Sequence, residues 1–133
     1  MLKWLRAVLG RRSSTGEEGE RIAAAHLRRC GYRLMGRNLR SRRGEVDILA
    51  EAPDRKTIVV VEVKATATSE SPYPPEVHLS KRKQRKLVAL AATLARRHRF
   101  IDRPLRFDLI AVECPPDQEP AIRHYLGAFE SHL

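Results

Sequence analysis

Apolar positions along this chain recur with two different periods. Between Glu17 and Cys30, the residues Ala23, Ala24, Leu27 and Cys30 return every three or four positions, which is one face of a helix, and Gly31 supplies a stop signal. The pattern then shortens. Tyr32 to Asn38 alternates weakly and predicts a first strand, LRSRRG reads as a turn, and EVDILAE predicts a stronger second strand. After the Pro53-Asp54 turn, TIVVVEVKA is β-branched and almost continuously apolar, as expected of a central strand covered on both faces. The proline-rich TSESPYPPEVH predicts a loop. Ser80 predicts the N-cap of a second helix that runs to His98 with Leu87, Leu90, Ala91, Leu94 and Ala95 as its buried stripe. LRFDLIAVE predicts a further strand ended by Pro115 and Pro116, and AIRHYLGAF fits either an edge strand or a short helix.

The order helix, three strands, helix, strand defines an α/β class. Strands joined by short turns should be antiparallel, whereas the strand reached through the long helix can lie parallel to the central one, giving a mixed sheet flanked by helices. A chain of 133 residues, 42% hydrophobic, suits a single domain. That domain is expected over residues 16–133, behind a basic arm at residues 1–15 that carries Lys3, Arg6, Arg11 and Arg12. No run reaches the ~18 apolar residues of a membrane span, so a soluble cytoplasmic protein without membrane association is expected. Cys30 and Cys114 lack metal-ligand spacing and read as reduced, partly buried thiols.

Charge narrows the range of partners. The formal net charge is +10 and the pI is near 10.4, which points toward a polyanionic partner, with nucleic acid first and a ribosomal or anionic-membrane surface as alternatives. Between Glu20 and Glu45 there is no acid, while Arg21, Arg28, Arg29, Arg33, Arg37, Arg40, Arg42 and Arg43 fall inside that interval. A second acid-free span, from Lys81 to Arg99, contains Lys83 and Lys86. Arg40, Arg42, Arg43, Lys83 and Lys86 are therefore candidate phosphate contacts.

Against this basic background, three carboxylates and a lysine stand where burial makes charge expensive. Asp47 interrupts the second strand, and Glu62 and Lys64 interrupt the valine run of the central strand. Strand alternation turns Glu45 and Asp47 the same way, and likewise Glu62 and Lys64. With the strands adjacent, Asp47 and Glu62 could ligate Mg²⁺, which commonly binds through one or two carboxylates plus substrate phosphate. Lys64 would then position water or stabilise transition-state charge. The plain alternative is a Glu62–Lys64 ion pair on a solvated face. Glu20 heads the buried stripe of the first helix and could reach the same ion, while Glu17 and Glu18 suit the helix dipole. Lys83, in the first turn of the second helix, could also aim at the site. Asp108 is expected to pair with an arginine such as Arg106 or, as the less favoured reading, to support the site from behind its ligands, and His78 is a weak candidate for a substrate contact.

Taken in order, GEEGERIAAAHL, NLRSRRGEVDILA, VVVEVKA, KRKQRKL and RFDLIAV resemble the YraN-like family of small bacterial proteins. That family looks like part of the PD-(D/E)XK nuclease superfamily and is similar to archaeal Holliday-junction resolvases. The match spans roughly Gly16 to Val112. It implies a restriction-endonuclease-like αβββαβ core, Asp47 and Glu62 as ligands of Mg²⁺ or Mn²⁺, Lys64 as catalytic lysine, and Glu20 as the acid from the first helix. It further implies an endonuclease acting on branched or structured DNA, with a symmetric homodimer suggested by the resolvases. Two positions depart from the pattern: Val46 stands where the superfamily has proline, and Ala65-Thr66 replaces the usual Thr-Arg after the ExK, which removes a phosphate contact. The alternative is a non-catalytic nucleic-acid-binding protein that retains the fold.

Overall fold

The computed structural model describes residues 14–67 and 79–129; the expectations for the arm up to residue 13, the proline-rich segment 68–78 and His78 lie outside the described residues. Its elements are α1 (Ser14–Arg29), β1 (Arg33–Ser41), β2 (Gly44–Glu51), β3 (Ile58–Thr66), α2 (Lys81–Arg97), β4 (Leu105–Glu113) and β5 (Ala121–Phe129). The helix–three strands–helix–strand order holds. Ser14 and Thr15, expected in the arm, already belong to α1, and the ambiguous last segment is a strand.

Five strands lie in the order β1-β2-β3-β4-β5, antiparallel except for the parallel β3–β4 pair that the α2 crossover makes possible. This is the mixed α/β sheet expected, consistent with a restriction-endonuclease-like core. β3 is central and its alternation feeds two separate cores. Ile58 and Val60 pack with Leu87, Leu90, Ala91 and Leu94 of α2, whereas Val59 and Val61 pack with Ile22, Ala23, Ala24 and Leu27 of α1. One helix therefore covers each face.

Local chemistry sets the helix ends. Tyr32 N–H reaches Leu27 O at 2.9 Å and Gly31 N–H reaches Arg28 O at 3.0 Å, a C-terminal cap closed by Gly31 at φ 90°. Because the chain turns there, Cys30 is exposed instead of continuing the buried stripe, while Cys114 is half-buried. At α2, the Ser80 hydroxyl accepts the Lys83 N–H at 3.1 Å, as its N-cap role requires. α1 also approaches β3 closely: a methyl group added at Gly19 would run into Cβ of Ala65. Ala65, which departs from the family pattern, faces that contact, and a larger side chain there would push the helix away.

The last strand is held by a buried carboxylate. Asp108 takes two hydrogen bonds from Arg106, both at 2.8 Å, one from His124 Nε2 at 2.8 Å, and one from Gly127 N–H at 3.0 Å. Burial alone would raise its pKa, but these bonds from His124, Arg106 and Gly127 hold it below the ordinary carboxylate value. The expected Arg106 partner is thus present, and Asp108 works in the packing of β4 against β5.

Candidate active site

β2 and β3 are paired from Glu51 with Ile58 to Ile48 with Val61, and there the pairing stops. Asp47 stands at that seam. Its Oδ2 accepts the Val63 N–H at 2.8 Å, so the carboxylate takes an amide that a continuing β2 backbone would otherwise have met. Asp47 consequently sits at the edge of β3, between the face covered by α1 and the face covered by α2.

Its electrostatics record the crowding. Burial, and then the Glu62 carboxylate, push Asp47 up to about 7 from 3.8; the Val63 N–H pulls the other way, and Glu20 and Glu45 push it further up. Asp47 therefore feels the charge of both Glu62 and Glu20. Glu62 is almost fully buried and faces α2, where Lys83 Nζ lies 3.1 Å from its Oε1. The Ser80 cap fixes the Lys83 backbone, which directs its ammonium to this carboxylate. Lys64 lies two residues on along the same face of β3 and is half-buried, with no carboxylate partner among the described residues. The plain Glu62–Lys64 ion pair does not form; Lys83 takes that place.

On the α1 side an open groove of about 1000 Å³ is lined by Glu20, Asp47, Glu45, Arg37, Asn38 and Arg40, among others. Glu20 projects into it from the first turns of α1, with one oxygen accepting from Asn38 Nδ2 at 2.9 Å and from Arg37 Nε at 3.2 Å. Asn38 stands across the hairpin from Asp47, between the pairs Arg37–Ile48 and Leu39–Val46, with φ at 52°. Asparagine tolerates this left-handed conformation better than most residues. Arg37 and Asn38 were absent from the sequence candidates. The signal available was an asparagine at the end of a strand pattern, a residue type disfavoured in strands unless the backbone is special.

The candidates thus fall into two groups joined by Asp47. Glu20 and Asp47 line the groove; Glu62 and Lys64 face α2 and do not. Among the described residues, no three acidic, imidazole or thiol side chains already surround one point as a metal shell. The donor set nevertheless fits Mg²⁺ or Mn²⁺ in kind. Hard carboxylate oxygens repel one another at Asp47, and an ion that keeps most of its waters needs only one or two of them. Asp47, which both groups share, would be the ligand at the seam; Glu62 would join it from the α2 side once Lys83 yields part of its hold, and Glu20 could reach it only from the groove side.

The candidate phosphate contacts also divide. Arg40 Nε lies 3.6 Å from Glu45 Oε2, and Lys83 is bound to Glu62, so both have protein partners. Arg42, Arg43 and Lys86 are exposed and have no ion pair among the described residues.

A family model described as uncharacterised protein family UPF0102 matches residues 19–112, a span that contains Glu20, Asp47, Glu62, Lys64 and Lys83 and stops before β5. Curated relatives are similar over most of both chains. A UPF0102 protein of Pelobacter propionicus is 39% identical over 88% of this chain and 83% of its own length. One from Geotalea uraniireducens is 41% identical over 88% and 90%, and one from Geobacter metallireducens 42% identical over 88% and 93%.

Proposed function

The chain belongs to the family UPF0102, and from the arrangement at its strand seam we propose that it is a Mg²⁺- or Mn²⁺-dependent endonuclease hydrolysing phosphodiester bonds of branched or otherwise structured DNA. One observation carries the reading: Asp47 is half-buried where β2 leaves β3, its Oδ2 on the Val63 N–H at 2.8 Å, and it lines the groove together with Glu20 and Glu45, a gathering of carboxylates that a divalent cation would relieve. A cation bound there would polarise a phosphodiester oxygen and lower the pKa of a bound water.

The chain's own residues supply the rest. The Val63 N–H holds Asp47 in one orientation, and Arg37 with Asn38 holds one oxygen of Glu20 at the groove. Lys64 brings an ammonium to the Glu62 side of the strand, where it can orient water or offset developing charge. The groove is open enough to admit a phosphodiester backbone. No helix among the described residues is long and apolar enough to cross a membrane.

A second reading has its own observation. Lys83 on Glu62, and Arg37 with Asn38 on Glu20, already offset two of the carboxylates without a metal, as a nucleic-acid-binding protein with a retained nuclease fold would require. Cleavage separates the two. Labelled four-way junctions and flaps should be cut in Mg²⁺ or Mn²⁺, not in EDTA, and cutting should fall at least about 100-fold in Asp47→Asn and Lys64→Ala. Binding without cutting under every divalent condition favours the second reading, and cutting that both variants retain contradicts the first.

A further inference from the structure

The arginines that line the acidic groove all have carboxylate partners. Arg21 pairs with Glu18, Arg37 with Glu20, and Arg40 with Glu45. A second concavity, of about 430 Å³, is different. There the β1–β2 turn meets the last turns of α2, and Ser41, Arg42, Arg43, Thr93 and Arg97 form the lining. Arg42, Arg43 and Arg97 are exposed, and none has a carboxylate partner among the described residues. Arg97 does complement the negative end of the α2 dipole. That accounts for one cation at the helix end, not for two more brought against it from another element.

From this geometry we infer that the concavity of Ser41, Arg42, Arg43 and Arg97 is a nucleic-acid backbone subsite, which takes a phosphodiester away from the acidic groove. Guanidinium forks match phosphate oxygens in shape and charge. Ser41 Oγ already accepts the Arg43 N–H at 3.0 Å, so its own proton is available to donate to the same phosphate. Thr93 serves as wall, because its hydroxyl is turned to Ala89 O at 3.3 Å. Four residue steps of extended chain lead from Arg43 to Asp47, at most about 13 Å. This corresponds to roughly four base-pair steps of duplex rise, the span that a bound nucleic acid would bridge around the β1–β2 hairpin to touch both places. The inference deepens the endonuclease reading and rests on it for the location of the cut.

The test measures binding in EDTA, so that cleavage is not needed to read it. Anisotropy of a labelled duplex and a four-way junction is followed from low to moderate salt for the wild type, for Arg42→Ala/Arg43→Ala/Arg97→Ala, and for Arg28→Ala/Arg29→Ala/Arg99→Ala, which removes equal charge elsewhere. Each lost phosphate contact should reduce the slope of log K against log salt by about 0.9. The subsite triple should therefore lose roughly two to three units and the control triple less than about one. The lysine version of the subsite triple should keep most of the slope. Equal losses in both alanine triples, or none in the subsite triple, overturn the inference. So does a melting temperature raised by inorganic phosphate through these three arginines while the DNA slope stays unchanged, since free phosphate is then the ligand. Metal-dependent cutting with an unchanged slope rejects the subsite alone, and a lost slope without any cutting rejects the nuclease reading alone.

Discussion

At Asp47 the folded chain holds a proton that the unfolded chain has already released. With its pKa pushed up to about 7 from 3.8, the folded state binds more protons between roughly pH 4 and pH 7. Stability should accordingly fall as pH rises through that window and level off above it. Asp47→Asn removes the half-buried charge while its amide oxygen can still accept the Val63 N–H. Urea unfolding should find the variant about 1–3 kcal/mol more stable than wild type at pH 8, converging toward it near pH 4; identical pH profiles would contradict the assignment. Asp47, Glu62 and Lys64 were legible in the sequence because charge inside a strand pattern is conspicuous. Their division between two sides of β3 was not, because it depends on where β2 leaves β3, and no residue pattern fixes the point at which a ladder ends.

The elements aim these side chains by close packing. Gly19 lets α1 lie against Ala65 of β3, which brings Glu20 within reach of Arg37 and Asn38. Gly19→Ala should destabilise the fold by about 1–3 kcal/mol through overpacking, and Ala65→Gly in the same chain should return part of that loss, since the two positions touch. Thermal denaturation of the single and double variants checks it, and additive losses would show that the contact does not govern the helix approach. The helical and strand periods gave the elements to within a few residues. The length of β1 escaped, because Leu39 to Ser41 looks like turn in isolation and becomes strand only by pairing with Gly44 to Val46.

For the molecule as a whole, acid-free stretches of sequence are not acid-free regions of space. Arg21, Arg37 and Arg40 come from one basic tract, yet the fold brings Glu18, Glu20 and Glu45 to them. The excess positive charge therefore acts mainly through exposed residues elsewhere. Asp108 links β4 to β5 in the same architecture and stays charged in the folded state, so its contribution is present above the ordinary carboxylate pKa of about 4 and is lost as pH falls below it. Asp108→Asn should cost about 3–5 kcal/mol at pH 7 by stranding Arg106, with the difference from wild type shrinking below about pH 4 in chemical denaturation; a loss independent of pH would assign it to shape alone. Carboxylates at the strand seam that take up a divalent cation will register in a calorimetric titration with Mn²⁺ at pH 8. Wild type should bind one ion at the seam, with uptake abolished in Asp47→Asn and weakened in Glu62→Gln; no uptake by wild type, or equal uptake by wild type and Asp47→Asn, would contradict a cation site there.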